Sequence, residues 1–174
     1  GPLWAVALAM SLPAFTPGRR TGVIGALGER SLAFWVFLWF LLVATALSYP
    51  ILQRLAPLSS TSASPARHPV RALVLTPTRE LAVQVAESFR DYGKNLPLRS
   101  TVVYGGVDMN AQIEQLRRGV EILVATPGRL LDHVQNKTVM FNQVSVLVLD
   151  EADRMLDMGF LPDIKRIISL LPST

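Results

Sequence analysis

The chain has 174 residues, of which 50% are hydrophobic and 17% are charged, and its formal net charge is +4. Soluble domains carry roughly 25% charged residues, so this chain is unusually apolar. The composition excludes disordered and collagen-like chains, and the absence of cysteine excludes a disulfide scaffold. The charge is too small for bulk charge alone to indicate nucleic-acid binding, which must be argued from particular residues.

The apolar excess is concentrated in the first fifty residues, which contain 31 apolar but only 4 charged side chains. The longest apolar run, Leu32 to Leu47, lies at the short end of the roughly 17 to 25 residues that span a bilayer. Arginines precede it, which would place the N-terminus of a membrane helix in the cytoplasm. The alternatives are a buried helix or sequence foreign to the fold. Residues 1–49 are therefore interpreted as an atypical segment, membrane-like or translated out of frame.

A glycine-containing stretch, Thr21 to Ser31, precedes this apolar run but does not form a phosphate-binding loop. Neither G-x-x-x-x-G-K-[ST] nor G-x-G-x-x-G fits its spacing, and no lysine occurs before Lys94. A second irregular stretch, residues 57–70, is rich in serine and proline and is interpreted as an exposed linker. His68 lies in it and is expected to be solvated.

From Val70 onward, short β-branched runs alternate with segments of helical periodicity. The runs are Ala72–Leu75, Thr101–Tyr104, Ile122–Ala125 and Val144–Leu149. The apolar residues at helical spacing are Leu81, Val85 and Phe89, then Met109, Ile113 and Leu116, and finally Ile164, Ile167, Ile168 and Leu171. Strands that are apolar throughout are typical of parallel sheets covered on both faces. The pattern therefore predicts an α/β fold, in which ligands bind beyond the carboxyl ends of the strands.

Two of the predicted strands end in the same pattern, V-x-T-P-x-R-x-L, at Val74–Leu81 and Val124–Leu131. Each copy places a proline at the strand exit and an arginine in the first turn of the next helix. Free amides at a helix start together with an arginine can bind phosphate. In the other interpretation, proline stops the strand, Thr78 caps the helix and the arginines are solvated. Gly105 and Gly106 end another strand, where they permit close backbone approach or a tight turn.

The strand Val146–Leu149 delivers Asp150 and Glu151 to the same edge of the sheet. A carboxylate there can hold Mg²⁺ that bridges nucleotide phosphates, and its neighbour can orient or deprotonate an attacking water. Asp153 lies about one helical turn beyond Asp150 and can couple the site to a neighbouring segment. The alternative is that these acidic residues only cap a helix and favour the positive end of its dipole.

From about residue 50 to the end, the sequence resembles the first RecA-like domain of DEAD-box RNA helicases, in particular those of the bacterial RhlE type. The resemblance is carried by Pro77–Gln84 (motif Ia), Gly105–Gly106 (the GG motif), Thr126–Leu130 (motif Ib), Asp150–Asp153 (motif II) and the stretch Arg154–Phe160. It implies a P-loop NTPase type of fold, ATP and Mg²⁺ as cofactors, and RNA as the partner.

By the same resemblance, the RNA sugar-phosphate backbone is bound without sequence preference by three motifs. Their residues are Pro77, Thr78 and Arg79, then Gly105 and Gly106, and then Thr126, Pro127, Gly128 and Arg129. Asp150 would bind Mg²⁺ through water, Glu151 would act on the attacking water, and Asp153 would complete the catalytic set. His133, on the helix after motif Ib, is expected to be a surface residue with no part in hydrolysis.

The sequence departs from the family pattern in ways that bear on activity. It has no phosphate-loop motif I, no Ser-Ala-Thr motif III and no second RecA-like domain. We therefore expect residues 50–174 to form an incomplete cytoplasmic helicase domain that neither binds ATP tightly nor unwinds RNA. One alternative is a non-catalytic RNA-binding or interaction module, tethered to a membrane through Leu32 to Leu47. Another is a polypeptide that does not fold stably, since the phosphate-loop strand is missing.

Overall fold

The computed structural model describes residues 4–8, 46–59 and 68–172. Apart from its last two residues, the apolar run from Leu32 to Leu47 lies outside these ranges, as do the glycine-containing stretch and most of the serine-rich linker. Within the described ranges, no helix is both long and apolar enough to cross a membrane.

Five parallel strands form one sheet, in the order β1, β5, β2, β4, β3. The strands are β1 (Trp4–Leu8), β2 (Ala72–Leu75), β3 (Ser100–Val103), β4 (Ile122–Ala125) and β5 (Val146–Asp150). The helices are α1, which includes residues 46–55, then α2 (Arg79–Gly93), α3 (Met109–Arg117), α4 (Pro127–Gln135), α5 (Ala152–Asp157) and α6 (Leu161–Ser169). The predicted α/β fold with a parallel sheet is confirmed.

The predicted strands differ from the observed ones mainly at β5. Its prediction began at Val144, whereas the strand runs from Val146 to Asp150. The amide of Val144 instead donates a hydrogen bond to the carbonyl of Phe141, at 3.0 Å, within a turn. The β-branched composition of Val144 therefore does not decide its conformation, because its amide already has a local partner. The predictions of β2 and β4 match the observed bounds.

The sheet is covered on both faces, as its uniformly apolar strands predict. On one face, leucines of β2, β4 and β5 pack against α3, α4, α5 and α6, and the buried members include Leu73, Leu123, Leu147, Leu130, Met155 and Ile167. On the other face, β2, β4 and β5 pack against α1 and α2, with Val74, Val124, Val148, Leu55 and Phe89 buried. The prediction that Ile168 shares the apolar face of α6 is wrong, since Ile168 is exposed.

Helix α1 runs across the predicted boundary between residues 49 and 50. Leu47 is buried together with Ile51, Leu52 and Leu55. Gly93 at the end of α2 permits this close approach, because a Cβ atom there would lie 3.2 Å from Leu52 Cδ2. The last residues of the apolar segment thus pack against the sheet in the same helix as the first residues of the predicted domain. The division of the chain at that boundary stays a prediction.

The expectation that His68 is solvated is wrong. His68 is buried, and its Nδ1 contacts Oε1 of Glu121, a carboxylate that is fully buried. The other carboxylate oxygen of Glu121 accepts a hydrogen bond from the backbone amide of Arg99, at 2.8 Å. The serine-rich composition around His68 carries no information about Glu121, because the two residues are 53 positions apart in the chain.

Candidate functional site

Four strands end at the same level of the sheet and bring the sequence motifs to one edge. Leu75 of β2 lies opposite both Ala125 of β4 and Leu149 of β5, and Ala125 lies opposite Val103 of β3. The residues that follow β2, β3 and β4 therefore leave the sheet side by side, next to Asp150, the last residue of β5. This arrangement confirms the expectation that the residues at the strand ends meet at the carboxyl edge of the sheet.

The exit from β2 shows the capping role considered for motif Ia and leaves the arginine of that motif exposed. Thr78 is the N-cap of α2, and its Oγ1 accepts a hydrogen bond from the amide of Leu81 at 3.3 Å. Arg79 is the first helical residue, and its side chain is 62% exposed. A hydrogen bond and ion pair with Glu80, 2.7 Å from Nε to Oε1, raises the pKa of Arg79 and lowers that of Glu80. A phosphate that approaches this helix start therefore meets an exposed guanidinium.

The exit from β4 differs because its helix start is not capped by a side chain. Thr126 makes no capping hydrogen bond, and Pro127, the first residue of α4, has no amide proton to donate. Gly128 is exposed, and a Cβ atom there would find nothing within 4 Å. The positive end of the α4 dipole thus opens onto unobstructed space, which suits an anion better than the capped start of α2 does.

The glycine pair after β3 and the residue that follows it approach the arginines of both helix starts. Gly106 has φ +84°, a left-handed conformation that glycine adopts without strain, and a Cβ atom there would lie 3.7 Å from Nη1 of Arg79. Nη1 of Arg129 donates a hydrogen bond to the carbonyl of Val107 at 3.1 Å, and the Arg129 side chain is only 13% exposed. Residues of motifs Ia, GG and Ib therefore lie against one another.

The expectation that His133 is a surface residue is wrong, since its side chain is fully buried on α4. Its Nε2 lies 2.9 Å from Oε1 of Gln112, and its Nδ1 lies 2.8 Å from Oγ1 of Thr138. Burial, and next the positive charge of Arg129, lowers the pKa of His133. Gln112 was not among the predicted site residues. The signal that marks it is a polar side chain one helical turn before Leu116 on the buried face of α3.

The exit from β5 holds the acidic residues. Asp150 is 7% exposed, and burial, followed by repulsion from Glu151, raises its pKa to about 6 even though a hydrogen bond with the Glu151 backbone opposes the rise. Glu151 adopts a left-handed conformation with φ 51°, and its Oε2 lies 3.0 Å from Nη1 of Arg154. Asp153 is exposed in the first turn of α5. The buried carboxylate and the strained residue beside it are typical of functional positions.

These acidic residues fit a magnesium ion only in part. The carboxylates of Asp150 and Glu151 supply the oxygen ligands that Mg²⁺ prefers. Across residues 4–8, 46–59 and 68–172, no group of three or more His, Cys, Asp or Glu side chains is arranged to hold a metal. Mg²⁺ commonly binds to one or two carboxylates, waters and substrate phosphates, so such an ion would need a polyphosphate beside it.

The residues present do not provide for that polyphosphate. No stretch of the sequence matches the phosphate loop G-x-x-x-x-G-K-[ST]. The backbone amides and lysine of such a loop are the groups that hold the β- and γ-phosphates of a nucleotide. The sequence therefore lacks the motif that supplies the usual phosphate ligands of ATP, and Asp150 and Glu151 alone do not define a hydrolytic step.

A parallel sheet covered by helices, with arginines, glycines, the buried Asp150 and the partly exposed Glu151 along one edge, is the arrangement that the resemblance to a RecA-like helicase domain predicts. The family model described as "DEAD/DEAH box helicase" matches residues 44–174, which is more than half of the chain. The chain belongs to the DEAD/DEAH-box helicase family. Membership in this family implies in general the use of ATP and Mg²⁺ and RNA as a partner.

Named relatives support this assignment. The chain is 55% identical over 97 residues to the ATP-dependent RNA helicase DBP2 of Chaetomium thermophilum, covering 56% of this chain and 17% of the relative. It is 56% identical over 97 residues to DEAD-box ATP-dependent RNA helicase 30 of Arabidopsis thaliana, covering 56% of this chain and 16% of the relative. The matched region thus spans less than a fifth of these two proteins.

The fold also matches a solved structure. The yeast DEAD-box splicing factor Prp28 superposes with a TM-score of 0.67 and 34% sequence identity, over 74% of this chain and 30% of that one. The parallel sheet flanked by helices is therefore that of a DEAD-box RecA-like domain, which confirms the fold class predicted from the sequence.

Proposed function

We propose that this chain binds the sugar-phosphate backbone of single-stranded RNA at the carboxyl edge of its sheet, as the RNA-binding part of an ATP-dependent RNA helicase domain. The observation that carries the proposal is the adjacency of β2, β4 and β3, which sets motifs Ia, Ib and GG side by side. A row of phosphate-binding groups suits a polymeric backbone better than it suits a single small anion.

The individual groups along this edge support backbone binding. Arg79 offers an exposed guanidinium, and the uncapped start of α4 offers backbone amides at Gly128. Gly105 is exposed, and a Cβ atom there would find nothing within 4 Å, so a phosphate can approach its backbone closely. Guanidinium groups and amides that contact phosphates carry no sequence information directly. We therefore expect little preference for RNA sequence.

The acidic residues are proposed to keep the roles that the family resemblance assigns to them. Asp150 would hold Mg²⁺ through water, Glu151 would act on the attacking water, and Asp153 would complete the set. These roles require nucleotide phosphates, for which the sequence offers no phosphate loop. We accordingly propose that this chain alone neither binds ATP tightly nor unwinds duplexes, and that RNA binding is the activity it retains.

The direct test is fluorescence anisotropy with labelled oligouridylate and with a mixed-sequence RNA of equal length, from 50 to 300 mM salt. Each phosphate contact with single-stranded nucleic acid contributes about −0.7 to the slope of log K against log salt. We expect measurable binding to both RNAs, a negative slope, and no change on addition of ATP and Mg²⁺. Absence of binding at low salt, or a strong dependence on ATP, would contradict the proposal.

A matched pair of variants on α2 locates the binding edge. Arg79→Ala removes the exposed guanidinium at the motif edge, whereas Arg90→Ala removes an exposed arginine near the opposite end of the same helix. Each substitution removes one positive charge, and each arginine is paired with a glutamate of the same helix, so the two variants are matched. We expect Arg79→Ala to weaken RNA binding and to reduce the salt slope by about 0.7, and Arg90→Ala to leave both near the parent values.

The alternative of a membrane-tethered interaction module depends on the run from Leu32 to Leu47, and cytoplasmic localisation likewise stays a prediction. Fractionation of native cells distinguishes them, because a tethered protein sediments with membranes and is released only by detergent.

The bacterial RhlE subtype also stays a prediction, and the named relatives, which are eukaryotic, give it no support. Reading the coding DNA upstream of residue 50 in the other frames tests whether a phosphate-loop sequence stands there.

A further inference from the structure

The side chains of Thr138, His133 and Gln112 form a polar network that ends on the backbone carbonyl directly before the GG motif. Nε2 of Gln112 donates a hydrogen bond to the carbonyl oxygen of Tyr104 at 2.9 Å. Oε1 of Gln112 lies 2.9 Å from Nε2 of His133, and Nδ1 of His133 lies 2.8 Å from Oγ1 of Thr138. Gln112 is 5% exposed and His133 is fully buried, so the bond between them is shielded from water, whereas Thr138 is half-buried.

The carbonyl of Tyr104 fixes the direction of both hydrogen bonds that Gln112 makes. The oxygen of Tyr104 can only accept, so the amide nitrogen of Gln112 faces it and the amide oxygen faces His133. His133 must then carry its proton on Nε2 and donate it to Gln112. The hydroxyl of Thr138 donates its single proton to the carbonyl of His133, at 2.9 Å, and its oxygen also lies 2.8 Å from Nδ1 of His133. One arrangement of protons therefore satisfies both ends of Gln112.

The polar network holds one end of the exposed glycine pair, and a second contact holds the other end. Gln112 binds the carbonyl of Tyr104, directly before the pair, and Arg129 binds the carbonyl of Val107, directly after it. Both Gly105 and Gly106 are exposed between these two points. Glycine has many accessible conformations, so a pair left unheld would lose conformational entropy when RNA bound.

We propose that Gln112 and His133 are positioning residues for RNA binding, which hold the Tyr104 carbonyl so that Gly105 and Gly106 present their backbone in one conformation. Neither side chain touches RNA in this arrangement. The inference rests on the proposed function for its effect on RNA affinity. Its structural part, the restraint on the glycine pair, can be measured without RNA.

Two substitutions of His133 separate positioning from simple loss of packing. His133→Gln is long enough to place an amide donor near the position of Nε2 and so to keep the bond to Gln112. His133→Asn can replace only the nearer nitrogen, which faces Thr138. Both remove a buried ring and introduce an amide. Gln112→Glu gives a third case, because it keeps length and the acceptor for His133 but sets a carboxylate oxygen against the Tyr104 carbonyl.

The variants are compared in the full 174-residue chain by oligouridylate anisotropy, by thermal unfolding, and by hydrogen–deuterium exchange of the peptide that contains Gly105 and Gly106. We expect His133→Asn and Gln112→Glu to raise the Kd about threefold to tenfold, the range for loss of one hydrogen bond. His133→Gln should stay within about twofold of the parent. The amides of Gly105 and Gly106 should exchange faster in His133→Asn and Gln112→Glu, but not in His133→Gln.

Equal weakening by His133→Asn and His133→Gln, or unchanged Kd and exchange in a folded Gln112→Glu variant, would overturn the inference. If the parent protein itself fails to bind oligouridylate, the proposed function fails. The exchange data alone then decide whether the polar network positions the glycine pair. If His133→Asn does not fold, Gln112→Glu carries the same comparison, since it exchanges only an amide nitrogen for an oxygen.

Discussion

Asp150 is a carboxylate that folding removes from water, and its substitution by asparagine should stabilise the chain at neutral pH. Burial is the main cause that raises the pKa of Asp150 from 3.8 to about 6. Each pKa unit corresponds to about 1.4 kcal/mol, so ionisation of Asp150 costs the folded state about 3 kcal/mol. Asparagine has nearly the same shape and carries no charge, so Asp150→Asn avoids that cost.

The sign of the pH dependence follows from the direction of this change. A group whose pKa is higher in the folded state binds more protons when folded, so its contribution to stability is present below pH 4 and is lost as the pH rises through about 6. The parent chain should therefore lose stability from this group between pH 4 and pH 7. The gain from Asp150→Asn should be near zero at pH 4 and should reach up to about 3 kcal/mol at pH 7.

The assay is urea unfolding at several pH values in a magnesium-free buffer with a chelator, because a bound cation would favour the ionised carboxylate. Asp153→Asn is the control, since it removes the same charge from an exposed position three residues away. Its effect should stay within about 0.5 kcal/mol at every pH. If Asp150→Asn leaves the stability and its pH dependence unchanged, or if both variants behave alike, the burial of Asp150 does not have the assigned cost.

Three further predictions concern the backbone and the buried polar groups, and each is measured as the free energy of unfolding. Residues 106 and 151 both adopt a left-handed conformation, which only glycine adopts without strain. Glu151→Gly should therefore stabilise the chain by roughly 1 kcal/mol, and Gly106→Ala should destabilise it by roughly 1 kcal/mol or more. A change of the same sign in both variants would refute the reasoning. Thr78→Ala should cost about 1 kcal/mol, since it removes the cap of α2, whereas Thr126→Ala, at a helix start without such a bond, should cost less. Glu121→Ala should cost about 3 kcal/mol or more, because it leaves His68 and the Arg99 amide without their buried acceptor, and a loss below about 1 kcal/mol would contradict this.

Much of the fold was predictable because its signals are local. The uniformly apolar runs at Ala72–Leu75 and Ile122–Ala125 predicted β2 and β4 to the residue, and helical spacing placed Val85 and Phe89 on the buried face of α2. The predictions failed where a residue's partner is distant in sequence or where a turn competes with strand propensity. Val144, bound to Phe141 in a turn, is an example of the second kind.

The members of the candidate site stay predictions from the sequence, whereas the residues that support them were found only in the structure. The arginines, glycines and acidic residues at the strand ends stand out, because their chemistry is unusual at the edge of an apolar sheet. Gln112 and His133 do not stand out, since a lone polar residue on a helix is usually solvated. Only packing shows that α3 and α4 bury these two side chains together beneath the glycine pair.

By itself, the sequence determined the class of fold and the absence of a phosphate-loop motif, because periodicity and motif spacing are properties of the chain. The carboxyl edge as the site stays a prediction. Tertiary structure decided the strand order, in which β2 lies between β4 and β5, and with it the neighbours of every motif. It also decided the burial of His68, Glu121 and His133. The physical reason is that pairing between strands, and the removal of polar groups from water, depend on contacts between residues far apart in the chain.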